Sequence, residues 1–229
     1  MNQFISIIIP VLNEKAVIAE TAKKIKHPLV QEIIVVDGGS TDGTVEAAES
    51  AGCKVIFSKK KGRASQMNAG ADAAKSPILY FLHSDTLPPD GFAEKIIHAV
   101  RNGADYGCFS LKFDDPSLIL KFFACFTRLK GKWLRFGDQS LFVKKEIFKT
   151  AGGFDESLTV MEDQEIFHRM GKIGTFKLIN DSVMTSARRY REIGILKLQF
   201  FFTLIYLGYY LGVSQNILVH FYKKHLRTE

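Results

Sequence analysis

Apolar and polar positions follow two different rhythms along the first half of the chain. Residues 4–12 read FISIIIPVL, an apolar, β-branched run that predicts a buried strand. Residues 14–26 carry Val17, Ile18, Ala22 and Ile25 at helical spacing. A strand is then predicted over 32–37, a helix over 44–51, a strand over 53–58, an alanine-rich helix over 64–75 and a strand over 78–83 (ILYFLH). Short, continuously apolar strands alternating with helices imply an α/β fold whose parallel sheet is covered on both faces. Right-handed crossovers gather the strand ends on one edge, and ligands of such sheets bind beyond the carboxyl ends of the strands.

The second half is less regular. A helix is predicted over 89–102 with Pro89 at its start, a strand over 106–113, an aromatic-rich helix over 117–129, a strand over 139–144 and a short helix over 162–171 ending at glycine. No repeat or low-complexity linker marks a boundary before about Tyr190. A chain of 229 residues suits one domain with an appendage, and can bury roughly 70% of its unfolded surface without a disulfide or metal staple. The three cysteines, Cys53, Cys108 and Cys125, are widely spaced and form no metal-ligand pattern, so they are expected to be buried, reduced thiols. No basic, apolar and small-residue sequence of a secretion signal opens the chain, which points to the cytoplasm.

Residues 35–44, VVDGGSTDGT, carry the first chemistry. Asp37 ends a predicted strand where a ligand would sit, and Gly38 and Gly39 allow a tight turn. Ser40, Thr41 and Asp42 are candidate caps for the next helix. The spacings of a P-loop and of a dinucleotide fingerprint are both absent. A lone carboxylate suits a base N–H or a ribose hydroxyl, so the stretch reads a nucleoside, or it is a capped turn with a solvated acid.

SIIIPVLNE followed by VVDGGSTDGT resembles the opening of the family 2 glycosyltransferases. GRASQMNAGADAAKSPILYFLHSDT resembles their third block and GGFDESLTVMEDQEIFHRM their acceptor-side block, all in the family's order over residues 4 to about 190. LHSDT, GDQ and TSARRY look like a compact bacterial subgroup that includes the radical-SAM/selenodomain-associated transferases. The resemblance implies a GT-A fold, with a Rossmann-like, mostly parallel sheet, helices on both faces and C-terminal apolar helices. It implies a catalytic domain over 1–190 and an appendage over 191–229. It places Pro10, Leu12, Glu14, Asp37, Arg63, Asn68 and Ser84 at the nucleotide, with Arg63 facing phosphate. Arg63 also follows Gly62 before a helix start, a natural anion site, or it is one more member of the surface run Lys59–Lys60–Lys61.

The family's Asp-x-Asp motif is His83–Ser84–Asp85 here. Asp85 matches the metal-holding acid, so the resemblance implies Mn²⁺ or Mg²⁺ arriving with the nucleotide. Alternation places His83 opposite Ser84, packed rather than ligating. Glu162–Asp163 matches the Glu-Asp motif, with Asp163 as the base that takes the acceptor's proton. Two acids that merely favour a helix dipole are the plain alternative. Gly137, Asp138 and Gln139 would approach sugar or acceptor, and Arg188 and Arg189 would close over the diphosphate.

The resemblance therefore implies an inverting transferase that uses a nucleotide-diphosphate sugar, with UDP as the expected nucleotide. The acceptor would be a lipid-linked molecule, a glycan or a small molecule. A sugar nucleotidyltransferase would want glycine in the loop after the first strand, which reads PVLNEKA. A non-catalytic, membrane-associated binder of nucleotide sugars is disfavoured by Asp85 and Asp163 together.

The net charge of +7 is uneven. Residues 186–229 hold seven Lys or Arg against two acids, a net of +5. Beside this charge lies an uncharged stretch, residues 198–219, interrupted by Gly208, Gly212 and Ser214–Gln215–Asn216. It predicts helices that lie on a membrane surface or bind a second subunit, a cover for the chain's own core, or a true span. The apolar neighbour favours lipid over nucleic acid as the partner of the charge, at the inner face of the cytoplasmic membrane.

Overall fold

The strand ending in Asp37 is buried on both sides, and that fixes the architecture. A computed structural model describes residues 3–129 and 137–226. Its strands are β1 (Ile5–Val11), β2 (Val30–Asp37), β3 (Lys54–Phe57), β4 (Ile78–Phe81), β5 (Thr86–Leu87), β6 (Tyr106–Phe113), β7 (Leu141–Lys144) and β8 (Phe176–Thr185). Between and after them lie the helices α1 (Lys15–Lys24), α2 (Thr44–Ser50), α3 (Arg63–Ala73), α4 (Phe92–Arg101), α5 (Leu118–Phe126), α6 (Lys145–Thr150), α7 (Glu162–Met170), α8 (Arg188–Ile193), α9 (Ile195–Tyr210) and α10 (Gln215–Leu226). A 3₁₀ turn spans Gly137–Gln139.

All eight strands form one sheet in the order β3-β2-β1-β4-β7-β6-β8-β5. The first four are mutually parallel, while β7 runs against both β4 and β6, and β5 against β8. The sheet is therefore mixed, more so than the apolar runs of the first half imply. Alternate side chains feed two cores. Ile7, Ile9, Val35 and Tyr80 pack against α1, α2 and α4, while Ile8, Ile34, Val36 and Leu79 pack against α3, α6 and α7. Helices thus cover both faces, as the apolar strands require.

Four departures have local causes. No strand is expected over 176–185, because Asn180, Asp181 and Ser182 break the alternation. In the structure the ladder steps from Phe109↔Ile179 to Ser110↔Ser182, so Asn180 and Asp181 bulge out and β8 continues. The fourth strand stops at Phe81 instead of His83, because the chain leaves the sheet in a turn after Leu82. Pro89 does not start α4. Its carbonyl accepts the Phe92 N–H, and Gly91, at φ +66°, is the N-cap. Cys53 and Cys108 are buried as expected, but Cys125 is exposed.

The C-terminal stretch folds as a hairpin of α9 and α10. Its buried residues Leu198, Ile205 and Leu226 form a third cluster with Val160, Met161 and Tyr190. Among the described residues no helix is long and apolar enough to cross a membrane. The spanning expectation therefore gives way to a cover for part of the domain.

Gly70 shows how tightly α3 sits. A Cβ there would lie 2.4 Å from Ile8 Cγ2 and 3.0 Å from Val36 Cγ2. Alanine gains about 1 kcal/mol of helix propensity over glycine, but overpacking a rigid core costs about 1–3 kcal/mol. Gly70→Ala should therefore lower the stability measured by thermal denaturation, and an unchanged or raised midpoint would contradict this packing.

Candidate active site

β1, β2 and β3 end at one level, with Val11 beside Asp37 and Asp37 beside Phe57. Two loops meet above this edge. Asn13, at φ +56°, donates its N–H to Ser40 Oγ (2.9 Å) and accepts from the Thr41 N–H (2.9 Å). The Glu14 N–H donates to Thr44 Oγ1 (2.8 Å) and the Lys15 N–H to Asp42 Oδ2 (3.2 Å). So Ser40, expected to cap α2, clamps the β1–α1 loop instead, and Asp42 does both, accepting the Lys15 N–H through Oδ2 and the N–H of Thr44, the first residue of α2, through Oδ1 (3.0 Å). The α2 N-cap is Gly43, which has no side chain to offer. Asp37 itself is 2% exposed and accepts the N–H groups of Gly39 (2.8 Å) and Ser40 (3.0 Å).

Gln66 on α3 holds the same edge from below. Its amide donates to the carbonyls of Val11 and Val36, both at 2.8 Å. Gly38 makes room for it, since a Cβ there would meet Gln66 Nε2 at 3.0 Å. The motif blocks gave no role to Gln66. Its position, one turn into a helix that follows the strand edge, is the only sequence signal.

Arg63 opens α3 and reaches α7 across the cleft. Its Nε lies 3.4 Å from Glu162 Oε1 and its Nη1 3.7 Å from Asp163 Oδ2. Arg63 therefore faces these two acids and is not simply one more solvated member of the Lys59–Lys61 run. Glu162 is almost wholly buried, its side chain 4% exposed, and Asp163 lines a narrow cleft with Pro10, His83, Phe154 and Phe167. Burial, reinforced by the Glu162 charge and opposed by Arg63 and His83, pushes the Asp163 carboxyl up to about 6.

A second group of acids lies around Asp85. Burial raises the Asp85 carboxyl, Asp138 adds to the rise, and His83 and Arg188 oppose it. Glu14 is also raised by burial, against the pull of Arg188, whose Nη2 lies 3.6 Å from Glu14 Oε1. Glu14 Oε2 is buried without a hydrogen-bond partner. His83 Nδ1 stands 3.9 Å from Asp138 Oδ1. Among the described residues no three ligating side chains converge on one point. A cation brought by a ligand would still suit this pocket, because it would relieve acids that burial and mutual repulsion hold above their usual range.

This geometry agrees with what the chain resembles. The family model described as glycosyl transferase family 2 matches residues 6–135, more than half of the chain. The chain belongs to glycosyl transferase family 2. By class it is a glycosyltransferase. The succinoglycan biosynthesis protein ExoA of Rhizobium meliloti is 29% identical over 93% of the chain and 70% of its own length. The mannosyltransferase PcManGT of Pyrobaculum calidifontis, solved with GDP-Man and Mn²⁺, superposes with a TM-score of 0.68 at 19% identity, over 90% of this chain and 65% of its own. Glucosyl-3-phosphoglycerate synthase of Mycobacterium tuberculosis, solved with Mn²⁺, UDP and glucosyl-3-phosphoglycerate, gives 0.62 at 20%, over 93% and 81%. These likenesses give the fold, which is GT-A.

Within this family 2 chain the motif residues divide into two sets. Pro10, Glu14, Arg63, His83, Asp85, Asp138, Glu162, Asp163 and Arg188 face the cleft or one another's charges. His83 is there because β4 ends two residues earlier, so strand alternation does not govern its side chain. Several of the others make long-range contacts within the domain. Asn68 is held by the Phe154 backbone through both amide atoms (2.9 Å each) and by Glu156. Buried Ser84 gives its carbonyl to Thr21 Oγ1 (2.6 Å). Gln139 is fully buried and donates to the carbonyls of Phe109 and Thr127 (3.1 and 3.3 Å), so of Gly137, Asp138 and Gln139 only Asp138 turns a charged side chain to the site. Arg189 points away, bonding the Leu226 carbonyl (2.8 Å) and lying over the rings of Phe202 and Tyr222. Leu12 is half exposed in the β1–α1 loop.

The raised Asp163 carboxyl has a stability signature. A carboxyl near 6 in the folded chain and about 4 unfolded favours the fold fully below pH 4 and loses that contribution as pH rises through 6. Asp163→Asn should thus leave stability unchanged at pH 4 and raise it at pH 8, by an amount on the order of 1–3 kcal/mol. A merely dipole-favouring acid predicts a loss of about 0.3–1 kcal/mol instead, so melting curves at the two pH values separate them.

Proposed function

We propose that this glycosyltransferase moves a sugar from a UDP-sugar to an acceptor hydroxyl with inversion, with a divalent cation bound beside the diphosphate. The observation that carries the reading is Asp163. It is a carboxylate poised near 6, at the start of a helix, lining a cleft and within reach of an arginine. A general base works best when its pKa lies near the working pH, and one carboxylate suffices to take the acceptor's proton during attack. Glu162 keeps Asp163 basic through its charge, and Arg63 orients both acids.

The donor side follows from the other residues. Asp37 retains acceptor capacity at Oδ1, whose one turn contact is the longer one at 3.2 Å, and would take a base N–H. Arg63 and Arg188, each 40–46% exposed at its side chain, would face the diphosphate. Asp85 would hold the cation, which neutralises the diphosphate as the sugar leaves. UDP is the nucleotide solved with the glucosyl-3-phosphoglycerate synthase, and GDP-Man the ligand of the mannosyltransferase. We read residues 1–190 as the catalytic unit and 191–229 as its appended hairpin.

A thermal-shift panel tests the donor. UDP with Mn²⁺ should raise the melting temperature by mass action, and stabilisation by GDP but not UDP would overturn the choice of base. Asp85→Asn should abolish the Mn²⁺-dependent part of the UDP shift and leave uridine binding intact. An equal UDP shift for the wild type in EDTA would remove the cation from the reading.

Asp163→Asn should cut transfer by roughly 10²–10⁴-fold with UDP-sugar affinity retained. In the wild type, kcat/KM should fall as pH drops below about 6, when Asp163 takes up its proton. Near-normal turnover of the variant would transfer the base role to Glu162, or to no protein carboxylate at all.

A further inference from the structure

The cleft and its acids leave α9 unexplained. This helix is predominantly apolar, with Lys197, Gln199 and Thr203 its polar exceptions other than the tyrosines, yet only part of it is covered. Leu198 and Ile205 are 1% and 4% exposed, whereas Leu196, Phe200, Leu204, Leu207 and Leu211 are 67%, 59%, 38%, 49% and 82% exposed. At about 100° per residue these five fall within an arc of roughly 80°, opposite the buried pair. A continuous outward stripe of large apolar side chains marks a surface that meets something apolar.

Charge identifies what. Lys197 is exposed at the flank of the stripe. The outward positions of α10, which packs on α9 through Phe201 and Phe221, are Asn216, Ile217, His220, Lys223 and Lys224. A Cβ at Gly208 would lie 2.9 Å from Leu218, so the two helices form a close pair. No acid occurs from Ile193 to Leu226. The hairpin's own residues thus supply an apolar stripe, exposed lysines and no acid, while Glu165 and Asp155 of the neighbouring segment lie near Tyr209. A second copy of this surface would bring like charges together, whereas an anionic bilayer offers apolar depth and negative headgroups at once. Since no described helix can span a membrane, insertion stops at the interface.

We propose that the exposed face of α9, with the lysines of α9 and α10, docks the protein on an anionic lipid surface. The covered side of the hairpin packs on Val160 and Met161, the residues that lead into Glu162 and Asp163, so the docking face is the side turned away from them. The docking stands on the hairpin's own surface and is independent of the donor and base assigned above.

The test is co-sedimentation of the full chain with extruded vesicles, needing no substrate. Wild type should pellet with phosphatidylcholine vesicles containing phosphatidylglycerol, and at least tenfold less with phosphatidylcholine alone or in high salt. Phe200→Glu with Leu204→Glu, both at exposed positions, should lose at least tenfold in binding with an unchanged circular dichroism spectrum. Lys223→Glu with Lys224→Glu should erase the preference for anionic vesicles. Failure of the wild type to pellet with anionic vesicles would overturn the proposal without recourse to any variant. So would a wild-type dimer in sedimentation velocity that Phe200→Glu with Leu204→Glu dissociates, since the stripe would then belong to a second copy.

Discussion

Three parallel strands that stop at one level leave a row of backbone groups with no further strand to bond. That constraint shapes the whole site. Gln66 bonds the carbonyls of Val11 and Val36 from helix α3 beneath the sheet, and Asp37 satisfies the N–H groups of the turn from its rim. Buried backbone polar groups without partners are costly, so both side chains are tied to the strand ends and neither is free to drift. The clamp between Asn13 and the Ser40–Thr44 segment then fixes the two loops relative to each other. A flat shelf results, at the edge where a doubly covered sheet binds its ligands.

Opposite this shelf, electrostatics are left deliberately unbalanced. Glu162 and Asp163 share one arginine between them at 3.4 and 3.7 Å, distances longer than a well-made ion pair. Glu14 keeps a buried oxygen without a partner, and Asp85 is raised by burial. A protein interior optimised for stability alone would not retain such groups, because each unpaired buried acid destabilises the fold. Perturbed acids gathered at the C-terminal edge of the sheet mark a functional site more often than a structural one.

The framework residues explain why the site holds its shape. Asn68, Lys60 and Glu156 tie α3 to the loop that carries Gly153 and Phe154, ahead of α7. Arg63 sits on the same helix. One helix therefore contacts the strand ends through Gln66, the loop of Phe154 through Asn68, and Glu162 and Asp163 through Arg63. Gly70 lets that helix press directly on Ile8.

By itself the sequence determined the α/β layering, because apolar runs of strand length must be covered on both faces wherever they fall. Local patterning also placed Asp37 at a strand end and Asp163 at a helix start, whereas Asp85, in the turn after β4, stood out only through the resemblance of His83–Ser84–Asp85 to the family's motif. It did not reveal β8, whose alternation is broken by a bulge that only pairing with β6 makes tolerable. Nor did it separate the working residues from the framework within each motif. Asn68, Gln139 and Arg189 have the same chemistry as ligand-binding groups, and only long-range partners claim their side chains. His83 went the other way, into the cleft, because the sheet released the chain at Phe81. A side chain's residue type fixes what it can bond. Which partner it finds depends on contacts dozens of residues away, and these exist only once the chain has folded.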